Sequence, residues 1–169
     1  GALQCTPANP SCNDCPLRDE CLSLAAGTVA ERPVKAGRTR IRPRYLNYLH
    51  LECGGRIALR RRPEGDIWQG LYDLPAIERD RPLDFTELAA APPFRDMFGT
   101  LPYRLVRTIR MPKHQLSHQT LHAAYHRLAL DAWPSAAEGW TLVPYEQLED
   151  YAIPRLLDRY FERIGNSDT

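Results

Sequence analysis

Apolar and polar positions change rhythm several times along this chain, and each rhythm predicts an element. Over Tyr45-Leu46-Asn47-Tyr48-Leu49-His50-Leu51 the β-prone and apolar residues are dense. Gly54-Gly55 supplies a hairpin turn, and Arg56 to Arg62 reads as the returning strand. Gly65 to Gly70 forms a second turn, after which Leu71 to Ile77 reads as a third strand interrupted by Pro75. Asp84 is placed to N-cap a short helix over residues 85–91, which Pro92-Pro93 should end. Leu101 to Met111 and Thr120 to Leu130 alternate as strands, and Gly139 to Val143 adds another. The last rhythm is helical: from Pro154 to Ile164, residues Leu157, Tyr160, Phe161 and Ile164 fall on one stripe. Strands outnumber helices and no internal repeat appears, so the predicted class is α+β.

Composition narrows the setting. A chain of 169 residues holds one domain of ordinary size with a small appendage, and 43% hydrophobic with 25% charged residues suits a soluble globular protein. No apolar run approaches the roughly 18 residues of a membrane span, so no membrane partner is expected. The opening GALQCTP lacks the basic and apolar regions of a signal peptide, which makes a reducing compartment the default and disulfides unlikely.

The net charge of +1 conceals an uneven distribution. Arg32, Lys35, Arg38, Arg40, Arg42 and Arg44 follow one another with no acid between Arg32 and Arg44. Such a run can meet phosphate, or it can serve as a solvated linker kept extended by its charges.

Cysteine usage is also uneven. Cys5, Cys12, Cys15 and Cys21 are spaced C-x6-C-x2-C-x5-C, and only Cys53 lies elsewhere. A C-x2-C pair can place both thiolates on one metal centre, and the flanking cysteines complete a tetrad. Pro7, Pro10 and Pro16 forbid a long helix through the segment, while Asn9, Asn13 and Asp14 favour turns. The spacing alone leaves structural zinc and a [4Fe-4S] cluster open.

Two further features admit rival readings. Trp68 reads as core packing beside a turn, with base stacking as the alternative. His114, His118, His122 and His126 recur every fourth residue and would line one face of a helix as metal ligands. Pro112 and the β-prone alternation that follows favour a loop and then a strand instead. Ser117 and His118 make a poor catalytic pair, because adjacent strand residues point apart and no G-x-S-x-G elbow is present.

The segment CTPANPSCNDCPLRDEC resembles the cluster loop that closes the helix-hairpin-helix DNA glycosylases of the endonuclease III superfamily. There this spacing holds a [4Fe-4S] cluster, so the resemblance implies Cys5, Cys12, Cys15 and Cys21 as its ligands, with partial or absent occupancy in an isolated fragment. The chain continues far beyond Cys21, and RYLNYLHLECGGRIALRRRPEGDIWQGLYDLP (44–75) is similar to the opening of the Nudix-like domain that adenine DNA glycosylases carry after their cluster. The implied organisation is a cluster loop over 1–27, a basic linker over 28–44 and a Nudix-like domain over 45–165, a mixed sheet flanked by helices.

An active Nudix hydrolase carries G-x5-E-x7-R-E-u-x-E-E-x-G-u, where u is apolar. The matching region, Gly70 through Phe94, offers only Asp73, Glu78, Asp80, Asp84 and Glu87. The resemblance therefore implies a domain that reads a nucleotide without cleaving it. PKHQLSHQTLH (112–122) resembles the family loop, often Phe-Ser-His, that contacts 8-oxoguanine, and aligns as Leu116-Ser117-His118. Oxidation turns guanine N7 into a donor and adds an acceptor at C8, and the Ser117 hydroxyl can both donate and accept. Lys113, His114 and His118, with Arg38, Arg40 and Arg42 of the basic run, are the further DNA-binding candidates. Leu116 replaces the usual aromatic residue and offers a hydrophobic wedge.

The implied function is the C-terminal portion of an adenine DNA glycosylase in base excision repair. Its partners would be duplex DNA with 8-oxoguanine:adenine mispairs and an N-terminal helical catalytic domain that precedes Gly1. No residue here is expected to be catalytic, and the implied location is the bacterial cytoplasm, at the nucleoid. The rival readings are an active Nudix hydrolase of oxidised nucleotides and a structural zinc-bearing interaction module.

Overall fold

The computed structural model describes residues 3–6, 8–32, 34, 41–116 and 118–165. The chain divides into two compact units, Gly1–Arg40 and Ile41–Thr169. In the first, a helix of one turn, α1 (Leu22–Ala25), is followed by a 3-10 turn over Val29–Glu31. None of its described residues is buried.

The second unit is built on a mixed sheet. Its strands are β1 (Arg42–Cys53), β2 (Arg56–Arg61), β3 (Tyr72–Asp73), β4 (Ala76–Arg79), β5 (Tyr103–Arg110), β6 (His114–Gln115), β7 (Gln119–Leu130) and β8 (Thr141–Pro144). Along the main path the order is β3-β2-β1-β7-β5, with β4 beside the start of β1, β6 beside β7 and β8 beside β2. The long central pair, β1 with β7, is parallel from Arg42↔Gln119 to Glu52↔Ala129. The hairpin β1–β2 closes at Cys53↔Arg56, around Gly54 and Gly55, whose φ values of 57° and 73° need the freedom of glycine.

Residues 46–51 are buried without a break, because β1 is covered on both faces. Leu46 and Tyr48 join Leu121, Ala123 and Tyr125 beneath the C-terminal helix α4 (Arg155–Gly165), which contributes Leu156, Leu157 and Tyr160. Leu49 and Leu51 turn the other way, to Leu128, Leu130 and the helices α2 (Phe85–Ala89) and α3 (Pro92–Phe98). The α+β class, the mixed sheet and its flanking helices match expectation.

Four details differ. Arg42 and Arg44 begin β1 and so belong to the sheet, where the linker was expected to run to residue 44. The strand expected over 71–77 divides at Pro75: β3 pairs with β2 and β4 with β1. Asp84 caps α2 in a reciprocal capping box with Glu87, as its position predicts, yet Pro92-Pro93 do more than end that helix. They occupy the first turn of α3, where a missing N–H costs nothing. Finally, β6 is too short for any period to announce.

Candidate functional site

Within the first unit, Cys5, Cys12, Cys15 and Cys21 all line one cavity of about 300 Å³, together with Arg18 and Arg32. Successive turns hang on these residues: the Cys15 N–H donates to the Cys12 carbonyl (3.3 Å), Arg18 to Cys15 (3.0 Å) and Cys21 to Arg18 (3.2 Å). All four thiols are free of disulfides, Cys5 exposed and the others half-buried. Among the described residues, no three His, Cys, Asp or Glu side chains are gathered closely enough to hold a single metal ion.

In the second unit the expected loop is the connection from β6 to β7. His114 pairs with Leu121 and Gln115 with Thr120, and the Leu116 N–H donates to the Gln119 carbonyl at 2.8 Å. Gln115 clamps this connection. Its amide nitrogen donates to the Leu116 and Gln119 carbonyls (3.0 and 3.3 Å), and its oxygen accepts from the Thr120 hydroxyl at 2.8 Å. Leu116 packs against the core, while Lys113 and His118 are exposed. The Arg42 N–H donates to the His118 carbonyl (3.2 Å), which joins the loop to the first residue of β1. Ser117, Arg38 and Arg40 lie outside the described residues. The clamp was missed because a glutamine in a polar stretch carries no pattern.

The structure does not form the helical stripe of histidines. His122 and His126 share one face of β7; the first stacks on Tyr45 (4.8 Å between centroids) and the second is fully buried against Thr108 Oγ1 (3.0 Å from Nδ1). Burial, with help from Arg110, holds His126 down at about 4. Arg44 is already engaged: it forms a fork with Glu78 (2.7 and 2.6 Å) and donates to Gln119 Oε1 at 3.0 Å. Trp68 is half-buried against the core beneath the Arg62 guanidinium, 5.3 Å from its ring.

Four of the five acids from Asp73 to Glu87, all but Asp80, have other work. Buried Asp73 accepts two hydrogen bonds from Arg62 (3.1 and 2.7 Å), Glu78 holds Arg44, and Glu87 pairs with Arg81 while sharing the capping box with Asp84. Burial pushes Asp73 up and Arg62 opposes that shift.

A second buried network was not foreseen. His50 Nδ1 lies 2.7 Å from the Tyr160 hydroxyl and Nε2 2.6 Å from that of Tyr145, which in turn donates to Glu52. Arg127 Nε also donates to Glu52 (2.8 Å). Since Tyr145 gives its proton to Glu52, a neutral His50 protonated on Nε2 and accepting from Tyr160 on Nδ1 satisfies every group. Burial lowers the His50 pKa against the pull of Glu52. Burial likewise pushes Glu52 up, but hydrogen bonds from His50, Tyr145 and Arg127 outweigh it and hold the carboxylate at about 2.

Comparison with known proteins places this architecture. A family profile described as NUDIX domain matches residues 47–163. The chain belongs to the NUDIX domain family. Curated relatives of this NUDIX chain are adenine DNA glycosylases. That of Buchnera aphidicola subsp. Schizaphis graminum is 29% identical over 75 residues, covering 44% of this chain and 22% of the relative. That of Arabidopsis thaliana is 29% identical over 91 residues, covering 46% and 14%. That of Buchnera aphidicola subsp. Baizongia pistaciae is 28% identical over 123 residues, covering 72% and 32%. The chain thus spans less than a third of each of these relatives.

Among solved structures, the C-terminal domain of mouse MUTYH, in complex with human PCNA, is 20% identical with a TM-score of 0.54. The match covers 74% of this chain and 89% of that one. The MutT protein of Methanosarcina mazei Go1 is 17% identical with a TM-score of 0.56, covering 76% and 97%. At these identities the likeness is one of fold.

Proposed function

We propose that this chain is the C-terminal portion of an adenine DNA glycosylase acting in base excision repair. Its NUDIX domain reads 8-oxoguanine opposite the adenine, and a helical catalytic domain removes that adenine. The observation that carries the reading is the clamped β6–β7 connection. Gln115, Thr120 and the Arg42 N–H hold the backbone on both sides of Ser117, with Lys113 and His118 exposed nearby for phosphate. Flanking residues held before binding lose little freedom when a base edge is met between them. The similarity to adenine DNA glycosylases supports the same assignment.

The carboxylates between β3 and α3 favour reading over hydrolysis. Asp73, Glu78, Asp84 and Glu87 are committed to Arg62, Arg44, Arg81 and a helix cap, and a Mg²⁺ site would have to take them from those partners. For the first unit we propose a [4Fe-4S] cluster held by Cys5, Cys12, Cys15 and Cys21. Four thiols around one shared cavity fit a group that takes four sulfur ligands. When bound it would supply a rigid cross-link. The chain's own part is to present the thiols on consecutive turns.

The test is discrimination, not affinity. With the helical domain joined to this chain, Ser117→Ala is expected to reduce the preference for adenine opposite 8-oxoguanine over adenine opposite guanine, by up to about 1–3 kcal/mol. His118→Ala should weaken both substrates alike if it meets phosphate. An unchanged ratio in the double variant, with the sheet intact by circular dichroism, would remove this connection as the lesion reader.

A further inference from the structure

The sheet ends at β5, and among the described residues no strand pairs with its outer side. Such an edge presents backbone N–H and C=O groups that a further strand can join. Its two faces differ. Tyr103 and Leu105 stand opposite Leu130 and Leu128, on the face whose core includes α2 and α3, and remain 38% and 39% exposed. In an unbroken strand Arg104 and Arg107, three residues apart, would point to opposite faces. The register shifts between Leu105 and Arg107, however, leaving Val106 as an extra residue. Arg104 therefore stands opposite Ala129 and Arg107 opposite Arg127, two ladder positions apart on the face that carries Tyr125. Their attachment points lie about 7 Å from each other. Both arginines are exposed and, among the described residues, neither has an ion pair or a side-chain hydrogen bond. No acid occurs in β5 or among the β7 residues that it pairs with, and Glu52, beyond Arg127, is held by Arg127 and Tyr145.

We propose that β5 is a docking edge for an extended, acidic segment of a partner protein. The segment adds a strand to the sheet, with carboxylates at alternate positions to meet Arg104 and Arg107 and apolar residues between them to cover Tyr103 and Leu105. Charge decides this occupant. A second copy of the chain would set the arginines of two identical strands along one ladder, where like charges oppose pairing. A DNA backbone could meet the same guanidiniums, but it would leave the apolar face bare and the backbone groups of the edge unused. The edge also lies at the far end of β7 from the β6–β7 connection: Leu128 is nine residues along the strand from Gln119, about 30 Å at strand spacing. Docking here needs neither lesion reading nor a metal group in the first unit.

Amide NMR spectra of the full chain would be recorded with short capped peptides built around Glu-Val-Glu-Val, Gln-Val-Gln-Val and Glu-Val-Val-Glu, and with a short DNA duplex. The first peptide is expected to shift the signals of Tyr103 to Thr108. The glutamine version should bind about threefold or more weakly, the loss of two cross-strand charge pairs of modest strength. Glu-Val-Val-Glu should also bind less tightly than the first, because its carboxylates point to opposite faces of the strand. Arg104→Gln together with Arg107→Gln should erase the differences among the peptides; if that variant fails to fold, the peptide series on the parent chain still decides. Absence of shifts in β5 at millimolar peptide, or equal binding of the glutamate and glutamine peptides, would overturn the proposal. So would a duplex that shifts these residues at lower concentration than the peptide does, which makes the edge a phosphate surface. Line broadening confined to β5 that grows with protein concentration alone would overturn it as well, as an interface between copies.

Discussion

The cysteine-rich unit and the sheet unit obtain their order from different sources. In the first, no described residue is buried and the one α-helix is four residues long. Among the described residues its backbone bonds are local, and several are turns passing from one cysteine toward the next. In the second, the rings of Tyr48, Tyr125 and Tyr160 form a column through the core with centroid spacings of 4.7 and 4.1 Å, and buried Asn47, His50, Asp73 and His126 are partnered inside it. A segment that buries so little cannot offset, by a core of its own, the chain entropy it loses. The sheet unit carries its own core.

The largest effect should follow from breaking that column. Tyr160→Ala removes, from the buried face of α4, the ring stacked on Tyr125 and the hydroxyl beside His50 Nδ1. Loss of a buried aromatic costs about 3–5 kcal/mol, and an orphaned polar atom adds to it. The expected outcome in urea unfolding is a large fall in the midpoint of the sheet unit, while the NMR signals of residues 3–32 stay as they were. A loss under about 1 kcal/mol would show that the column is not what fastens α4.

Acid probes the same unit more gently. Burial keeps His126 neutral, with a folded pKa of about 4 against 6.5 when exposed, and His50 is lowered as well. Above pH 6.5 both histidines are neutral in either state and contribute no pH dependence. As pH falls below 6.5 the unfolded chain takes up protons that the folded one refuses, so stability declines toward pH 4. For His126 alone the loss reaches about 3 kcal/mol. Glu52, held at about 2, loses its own contribution only below its ordinary value of 4.5, and Asp73, raised by burial, shifts stability in the sense opposite to the histidines, so a substitution is needed to assign the decline. His126→Gln should flatten the slope below pH 6.5 in urea titrations, and a slope unchanged by the substitution would show that His126 is not the group responsible.

The difference between the units also governs what the sequence could reveal. The dense β-prone and apolar run at 45–51 and the helical stripe of Leu157, Tyr160, Phe161 and Ile164 were legible because each is a local pattern that burial enforces. The parallel pairing of β1 with β7 was not, since it joins residues about seventy-five positions apart, as Arg44 and Gln119 are. The His50–Tyr160 contact spans 110 positions and left no trace, because a lone histidine between apolar neighbours looks the same whether or not it is partnered. Of the candidate lesion-reading residues, Leu116 and His118 could be picked out through resemblance alone. Gln115 could not, for its role exists only once the strands have paired. Arg44 was misjudged for the opposite reason: in the sequence it closes a basic run, whereas in space it lies against Glu78.

The smallest effect is the one that tests the separation itself. Cys15→Ser, alone or with Cys12→Ser, alters a half-buried residue in a unit that forms its own compact body. Serine keeps the shape and the turn bond from the Arg18 N–H to the carbonyl of residue 15, but removes a thiol from the shared cavity. If order in residues 3–32 depends on four thiols acting together, the variant should be cut there by a protease present at trace level, sooner than the parent chain. The sheet unit should meanwhile unfold within about 0.5 kcal/mol of its former stability, the range of surface substitutions remote from a core. Cleavage with unchanged sheet stability supports two sources of order in one chain. A fall of more than about 1 kcal/mol in the sheet unit would mean that the thiols stabilise it too, because substitutions at independent sites leave each other's free energies almost untouched.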